Sequence, residues 1–401
     1  MVFQLVGAPL CSAAGQHQMS PPGIADGPGV WANVWNYPQG NLDAYCANLR
    51  SYGVRNLFIQ TTRVNMPALA HADELGQLIE ACHKYNIRVI GWAYLELVEP
   101  SVDAEKMLAA ARYVSPHGES LDAIAPDLEK NLTAARVEKF SARLRDELGP
   151  NYPLVAVVYS PLNHYHEVNA IPWATLTHYY DVIAPMAYWK GKTQRLDAHD
   201  YTLATVRTIR QLSGRPDVEI HVIGDAMGTE ASEITDFMRA CREAEATSAS
   251  IYPNQRPTVD QLSSLSHYSE FFVPNARFRL AAFKQMIRSG AIPADAAGDP
   301  TQVVTRTDFY KMVAHQLHTS VPMIVSAGPQ TAPIYSGEAL AALAGLVDAQ
   351  QTKTAHTTKK NSHWFSSPAM AATLASGAPN ERPLNWLDAS QMVLEAGSAI
   401  K

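Results

Sequence analysis

Two carboxylates stand two residues apart at the end of an apolar run, Asp122-Ala-Ile-Ala-Pro-Asp127-Leu-Glu129. Side chains alternate along a strand, so Asp127 and Glu129 share one face while Asp122 points the other way. Such a pair suits acid/base work. The charge of one carboxylate raises the proton affinity of the other, and a carboxyl that stays protonated near neutral pH can protonate a leaving oxygen. Glu129, at the strand end, is the candidate acid. Asp127 is too near it in sequence to act as a separate nucleophile on the far side of a reacting centre, and is assigned to tuning Glu129 and holding a substrate group. A second stretch, Asp181-Val-Ile-Ala-Pro-Met-Ala-Tyr188, repeats the frame with Met186 in place of Asp127 and Tyr188 in place of Glu129.

The elements that must position these groups follow a rhythm. Apolar, β-branched or aromatic runs at 30–37, 56–62, 88–95, 123–129, 153–159, 182–189, 219–225 and 246–252 read as strands. Segments of helical period lie between and after them, at 42–52, 73–85, 103–114, 134–148, 173–179, 201–212, 231–244 and 259–271. Eight alternations over this length predict an α/β chain folded as a (βα)8 TIM barrel spanning residues 30–272. An open doubly wound sheet is the alternative, but no Gly-x-Gly-x-x-Gly opens a helix. Residues 1–29, rich in Gly, Pro and Ser, read as an irregular lead-in. Residues 273–401 carry helical patterns alone, two helix–loop–helix halves echoing one another, and predict a smaller all-helical C-terminal domain. Pro126 and Pro185 cost a donor in a central strand, which predicts a bulge or irregular pairing beside each.

In such barrels the reacting groups gather at the C-terminal strand ends. Those ends supply Trp35 and Tyr37, Gln60 and Arg63, Trp92 and Tyr94, Tyr159, Met186 and Trp189, Asp225 and Tyr252 as candidate substrate-binding residues around Asp127, Glu129 and Tyr188. A rim of aromatic and amide groups suits a sugar, whose C–H faces stack on rings and whose hydroxyls take hydrogen bonds. His164-Tyr-His166-Glu167 is a weak metal pattern with no third partner in sequence, so no metal and no cofactor is expected.

With 47% hydrophobic and 17% charged residues and a formal charge of -6, the chain has no basic patch for nucleic acid, and no apolar run reaches membrane-spanning length. Four cysteines without C-x-x-C spacing are expected as free thiols. Residues 1–15 make a poor signal peptide, lacking Lys or Arg ahead of their apolar patch.

The motif Asp122-x-x-x-x-Asp127-x-Glu129 on the fourth strand, with Met186-Ala-Tyr188 on the sixth, resembles the chitinase-like barrels of glycoside hydrolase family 18, in the manner of bacterial glycoside-hydrolase-like barrels. Ala125 departs from the family pattern, which has an aspartate there, and Trp189 replaces the aspartate that follows the family's tyrosine. The resemblance implies a retaining hydrolase of an N-acetylated polysaccharide or cell-wall glycan. Glu129 would be acid/base, Asp127 would orient the 2-acetamido group, and Tyr188 would bind that group's carbonyl as it attacks the anomeric carbon. The alternative is a non-catalytic glycan-binding or surface-structural barrel that has lost part of the motif; a third is a two-carboxylate scheme with Asp225 or Glu96 as partner. Val304-Thr-Arg-Thr-Asp-Phe-Tyr-Lys-Met312, after Ser289-Gly290-Ala-Ile-Pro293, resembles an S-layer homology unit. That likeness implies a cell-wall polymer as partner and an extracellular or cell-surface location.

Overall fold

The computed structural model describes residues 24–163, 171–190, 196–215, 217–253 and 256–266, then 282–292 (except 284), 302–317, 331–335 and scattered positions from 339 to 394. Eight parallel strands close in chain order into a barrel. They are β1 (Gly29–Ala32), β2 (Asn56–Arg63), β3 (Arg88–Leu95), β4 (Ala123–Leu128), β5 (Val155–Tyr159), β6 (Val182–Ala187), β7 (Glu219–Asp225) and β8 (Ser248–Tyr252). The helices α1 (Leu42–Ser51), α2 (Ala72–Lys84), α3 (Pro100–Ala111), α4 (Ala134–Leu148), α5 (Trp173–Tyr179), α6 (Ala198–Ser213), α7 (Ala231–Glu243) and α8 (Val259–Ser266) alternate with them. The chain is therefore a TIM barrel, as its periodicity predicts.

Local chemistry sets the helix ends. Asn41, Thr133 and Asp197 accept hydrogen bonds from the first-turn amides of α1, α4 and α6, and Glu230 with Glu233 forms a reciprocal capping box on α7. Gly214 ends α6 in the left-handed conformation at φ 62°.

Outward residues of the strands, such as Leu57, Ile59, Ile124, Ile183 and Val222, pack with the helices into one apolar layer. Inward residues, including Trp31, Phe58, Ile90, Val157 and Met186, fill the barrel itself. Its N-terminal end is stoppered by the chain that enters β1. Asn56 Nδ2 donates to the carbonyls of Asp26 and Gly27 (3.0 Å each), Ser248 Oγ to Gly27 O (2.6 Å) and His221 Nδ1 to Ala25 O (3.0 Å). Burial lowers the pKa of His221 to about 4, so it sits in this plug as the neutral ring.

Three departures from the periodic reading bear on the mouth. First, β1 stops at Ala32 rather than continuing to 37, because Asn33 Oδ1 accepts from the amides of Trp35 (3.0 Å) and Asn36 (3.1 Å) while Asn36 Oδ1 accepts from Asn33 N (2.6 Å). This asparagine turn competes with the ladder. Second, of the bulge or irregular pairing expected beside Pro126 and Pro185, the ladders show irregular pairing and no bulge. Each proline stays in register with the preceding strand, opposite Ala93 and Val158, and the pairing lapses only toward the following strand, between Ile124 and Asp127 and between Ile183 and Met186. The missing N–H costs one side of the strand only. Third, a bulge does occur, in β2 between Gln60 and Thr62.

Beyond the barrel, Phe283, Met286, Phe309, Met312, Val313, Ile334 and Trp386 belong to a separate apolar cluster. The repetition expected in two halves has a third member. Val304 N–H donates to Leu384 O (2.8 Å), Leu384 N–H to Ile334 O (2.9 Å) and Ile334 N–H to Val304 O (3.0 Å), closing a ring of three backbone hydrogen bonds. Each ring position is followed five, eight and nine residues later by buried helical residues: Phe309, Met312 and Val313 on α9 (Arg306–Leu317), then Ala339, Ala342 and Leu343, then Ala389, Met392 and Val393. The third copy was hidden because alanines replace the phenylalanine and the methionine. Thr305 Oγ1 accepts from Asp308 N (3.2 Å) and donates to the Asp308 carboxylate (2.6 Å), capping α9. Among the described residues no helix is long and apolar enough to cross a membrane.

Candidate functional site at the barrel mouth

Alternation along β4 sends Ala123, Ala125 and Asp127 inward and leads to Glu129 just past the strand. Asp122 points outward, accepting from Val89 N (2.7 Å) and meeting His83 Nε2 at 2.9 Å. Asp127 is buried, 5% exposed, its Oδ1 has no hydrogen-bond partner, and its carboxyl adjoins that of Glu129. Burial first, then the adjacent Glu129 charge, pushes Asp127 well above the ordinary carboxylate range, opposed by the more distant cation Arg63. Glu129 is half-buried, and its Oε2 accepts the hydroxyl of Tyr159.

Around this pair stand Tyr188, Tyr252, Tyr94 and Tyr159. Burial pushes the Tyr188 hydroxyl up, with Tyr252, Asp127 and Glu129 adding to the effect, which places it in the field of both carboxylates. Its ring lies 6.1 Å from that of Tyr252. Tyr252 is raised chiefly by burial and is hydrogen-bonded to Asn33. The floor beneath is aromatic. Trp92 is edge-on to Trp31 (5.5 Å) and Tyr252 (6.2 Å), and Trp31 stacks on Phe58 at 4.1 Å. The indole N–H groups are consumed internally, Trp92 Nε1 by Ala32 O (3.0 Å) and Trp31 Nε1 by Ser250 Oγ (2.8 Å), so both act as packing. Met186 is buried in the same inner cluster.

The β2 bulge turns both Gln60 and Arg63 toward this end. Gln60 is fully buried, its Oε1 accepting from Val34 N (3.1 Å) while Nε2 has no partner. The Arg63 guanidinium lies 4.5 Å from the Trp35 ring and 5.1 Å from the Tyr94 ring. Trp35 is 70% exposed, an open platform beside the mouth. Asp225 is buried at the end of β7, its Oδ1 accepting from Met227 N (2.9 Å). Glu96, the other candidate partner carboxylate, is bound to Lys130 (2.8 Å).

Two expected rim residues lie elsewhere. Tyr37 is buried outside the barrel against the His71 ring (4.7 Å), because the Asn33 turn breaks the alternation that would have carried it inward. Trp189 follows the inward Tyr188 and so faces outward, stacking on Phe237 of α7 at 5.5 Å and donating to Glu233 (3.2 Å). The sequence reading missed Trp31, Asn33 and Ser250; the two-residue spacing of Trp31 and Asn33 was the available signal. His164, His166 and Glu167 lie outside the described residues.

The three described cysteines, Cys46, Cys82 and Cys241, are free and buried, with 3.3 Å between Cys46 Sγ and Cys82 Sγ; Cys11 lies outside the described residues. At the opposite end of the barrel a cavity of about 710 Å³ is lined by Arg55, Arg88, His83, Asp26, Glu119 and Asp122 among others. It lies away from the carboxylate pair.

No family model and no curated protein matches the chain. Solved structures with similar folds include a chitinase from Ipomoea carnea (14% identity, 61% of this chain and 98% of that one, TM-score 0.41). Others are the spore cortex-lytic enzyme SleL of Bacillus cereus (9%, 61% and 74%, TM-score 0.44) and a fungal endo-β-N-acetylglucosaminidase of glycosyl hydrolase family 18 (12%, 60% and 97%, TM-score 0.44). The barrel assignment rests on the closed strand order itself.

Proposed function

We propose that the barrel mouth is a glycan-hydrolysing site acting on an N-acetylated polysaccharide or cell-wall glycan with retention of configuration. The observation that carries this reading is the adjacent carboxylates Asp127 and Glu129 at the mouth, with the Tyr159 hydroxyl on Glu129 and Tyr188 in the field of both. Glu129 reaches the half-open mouth and delivers the proton to the glycosidic oxygen. Asp127, buried behind it, supplies a carboxyl face for the substrate's 2-acetamido nitrogen. Tyr188 donates to the acetamido carbonyl as that oxygen attacks the anomeric carbon, and Glu129 then serves as base to water.

Asp225 and Glu96 are poorer candidates for a second carboxylate. One is buried and engaged with the Met227 amide, the other is neutralised by Lys130. Under the same proposal the C-terminal region, with its Val304-Thr-Arg start and threefold ring, is an S-layer-homology-like module holding the enzyme to a cell-wall polymer outside a bacterial cell.

Ala125, buried in the barrel where the resembling family has an aspartate, favours a second reading as a glycan-binding barrel without turnover. Proton NMR of the products of a chito- or muro-oligosaccharide digest separates the readings. New reducing ends whose first-formed anomer keeps the substrate configuration support the proposal. Inversion contradicts the mechanism, and saturable binding with no new reducing ends favours the second reading.

A further inference from the structure

The charged groups at the mouth are unequally satisfied. Lys130 is paired with Glu96 at 2.8 Å, and Lys106 spends its ammonium on three carbonyls, those of Arg63 (2.8 Å), Val64 (2.6 Å) and Met66 (3.1 Å). Arg63 is different. Among the described residues its guanidinium has no carboxylate within salt-bridge reach and makes no side-chain hydrogen bond, while Trp35 and Tyr94 lie against it. Contacts of this kind take up a guanidinium's π surface and leave its N–H edge free for a planar, two-oxygen acceptor.

The placement is built into the backbone. The β2 bulge brings Arg63 round to the mouth, and the three Lys106 bonds hold the turn that follows it. Arg63 is near enough to Asp127 to oppose its protonation, yet not in contact with it. A surface arginine would pair with whichever acid lies nearby. This one is held apart from both site carboxylates, beside the 70% exposed Trp35 that offers a sugar platform.

We propose that Arg63 reads a carboxylate carried by the bound glycan, so that the substrate is an acidic sugar polymer rather than a neutral one. This rests on the mouth being a glycan site and specifies its substrate class. Trp35 stacks on the sugar ring, and the Arg63 fork takes the two oxygens of its carboxylate. Two kinds of sugar that carry such a group are compared, an amino sugar with a lactyl ether and a uronic acid.

The test uses the full chain with Glu129→Gln, so that ligands are not consumed, and isothermal titration calorimetry. Four hexasaccharides are compared: a neutral chito-oligosaccharide, one alternating N-acetylglucosamine with its lactyl ether, the methyl-amidated form of that ligand, and one alternating N-acetylglucosamine with a uronic acid. One of the two acidic ligands binds about tenfold or more tighter than the neutral chito-oligosaccharide, an advantage that shrinks in high salt. Which one does so identifies the source of the carboxylate. Arg63→Gln removes the preference while the neutral ligand still binds, which also shows that the variant is folded; Arg63→Lys keeps the charge but loses most of the preference. Equal binding of acidic and neutral ligands, or a preference that survives Arg63→Gln, overturns the proposal while leaving the glycan site standing. Binding of none of the four overturns both.

Discussion

Asp127 and Glu129 share the inner face of the fourth strand, one buried in the barrel and the other half-open to the mouth, close enough for the charge of Glu129 to raise the proton affinity of Asp127. Because Asp127 is pushed up by burial and by Glu129, it keeps its proton above the ordinary carboxylate range, and activity falls on the alkaline side when that proton is lost. Asp127→Asn removes the group with the raised pKa, so the alkaline limb of kcat/KM moves to lower pH. An unmoved limb would mean that the proton is not held by Asp127.

Tyr159 donates to Glu129 Oε2 and so fixes the rotamer of the acid. Tyr159→Phe removes one hydrogen bond to a charged group, which predicts a fall in kcat of about tenfold or more with KM little changed. A variant that loses affinity at unchanged kcat would make Tyr159 a substrate contact instead.

His83 links helix α2 to Asp122 and Glu119, and the Asp122 bond above all, then Glu119, lifts its pKa to about 9. The folded-state value lies above the unfolded one, about 6.5. Its stabilisation is thus fully present below about pH 6.5 and is lost as pH rises through about 9. His221 acts in the opposite direction. It is lowered to about 4 by burial, so stability declines as pH falls from about 6.5 toward 4. Thermal melts from pH 4 to 10 check both: His83→Gln flattens the alkaline slope and leaves the acid one. Parallel curves for variant and wild type would contradict the assignment.

Gly224, on β7, has no room for a side chain, since a Cβ there would lie 2.8 Å from the Phe237 ring. Gly224→Ala forces that ring and its Trp189 partner to shift, costing about 1–3 kcal/mol in a denaturant titration. Phe237→Ala instead opens a cavity and costs about 3–5 kcal/mol. A neutral Gly224→Ala would show that helix α7 yields freely.

The barrel was legible in the sequence because each strand and helix is long enough for its period to be counted, and inward alternation at Trp92–Tyr94 and Asp127–Glu129 survives folding. Tyr37 and Trp189 were misread for different physical reasons. Alternation fails at the Asn33 turn, which carries Tyr37 outside the barrel, whereas at Trp189 it holds, and one residue past the inward Tyr188 the side chain faces out. The β2 bulge that brings Arg63 round left no mark in residue types. Nor could sequence foresee that Arg63 would be the mouth cation without an acidic partner among the described residues, because pairing depends on where Lys130 and Lys106 reach.

The central claim is that Glu129 protonates the leaving oxygen, and the most direct measurement is turnover of a chito- or muro-oligosaccharide by Glu129→Gln beside its binding to the same ligand. The account predicts a loss of kcat of about 10²–10⁴-fold with affinity retained. Turnover within a few-fold of wild type would contradict it.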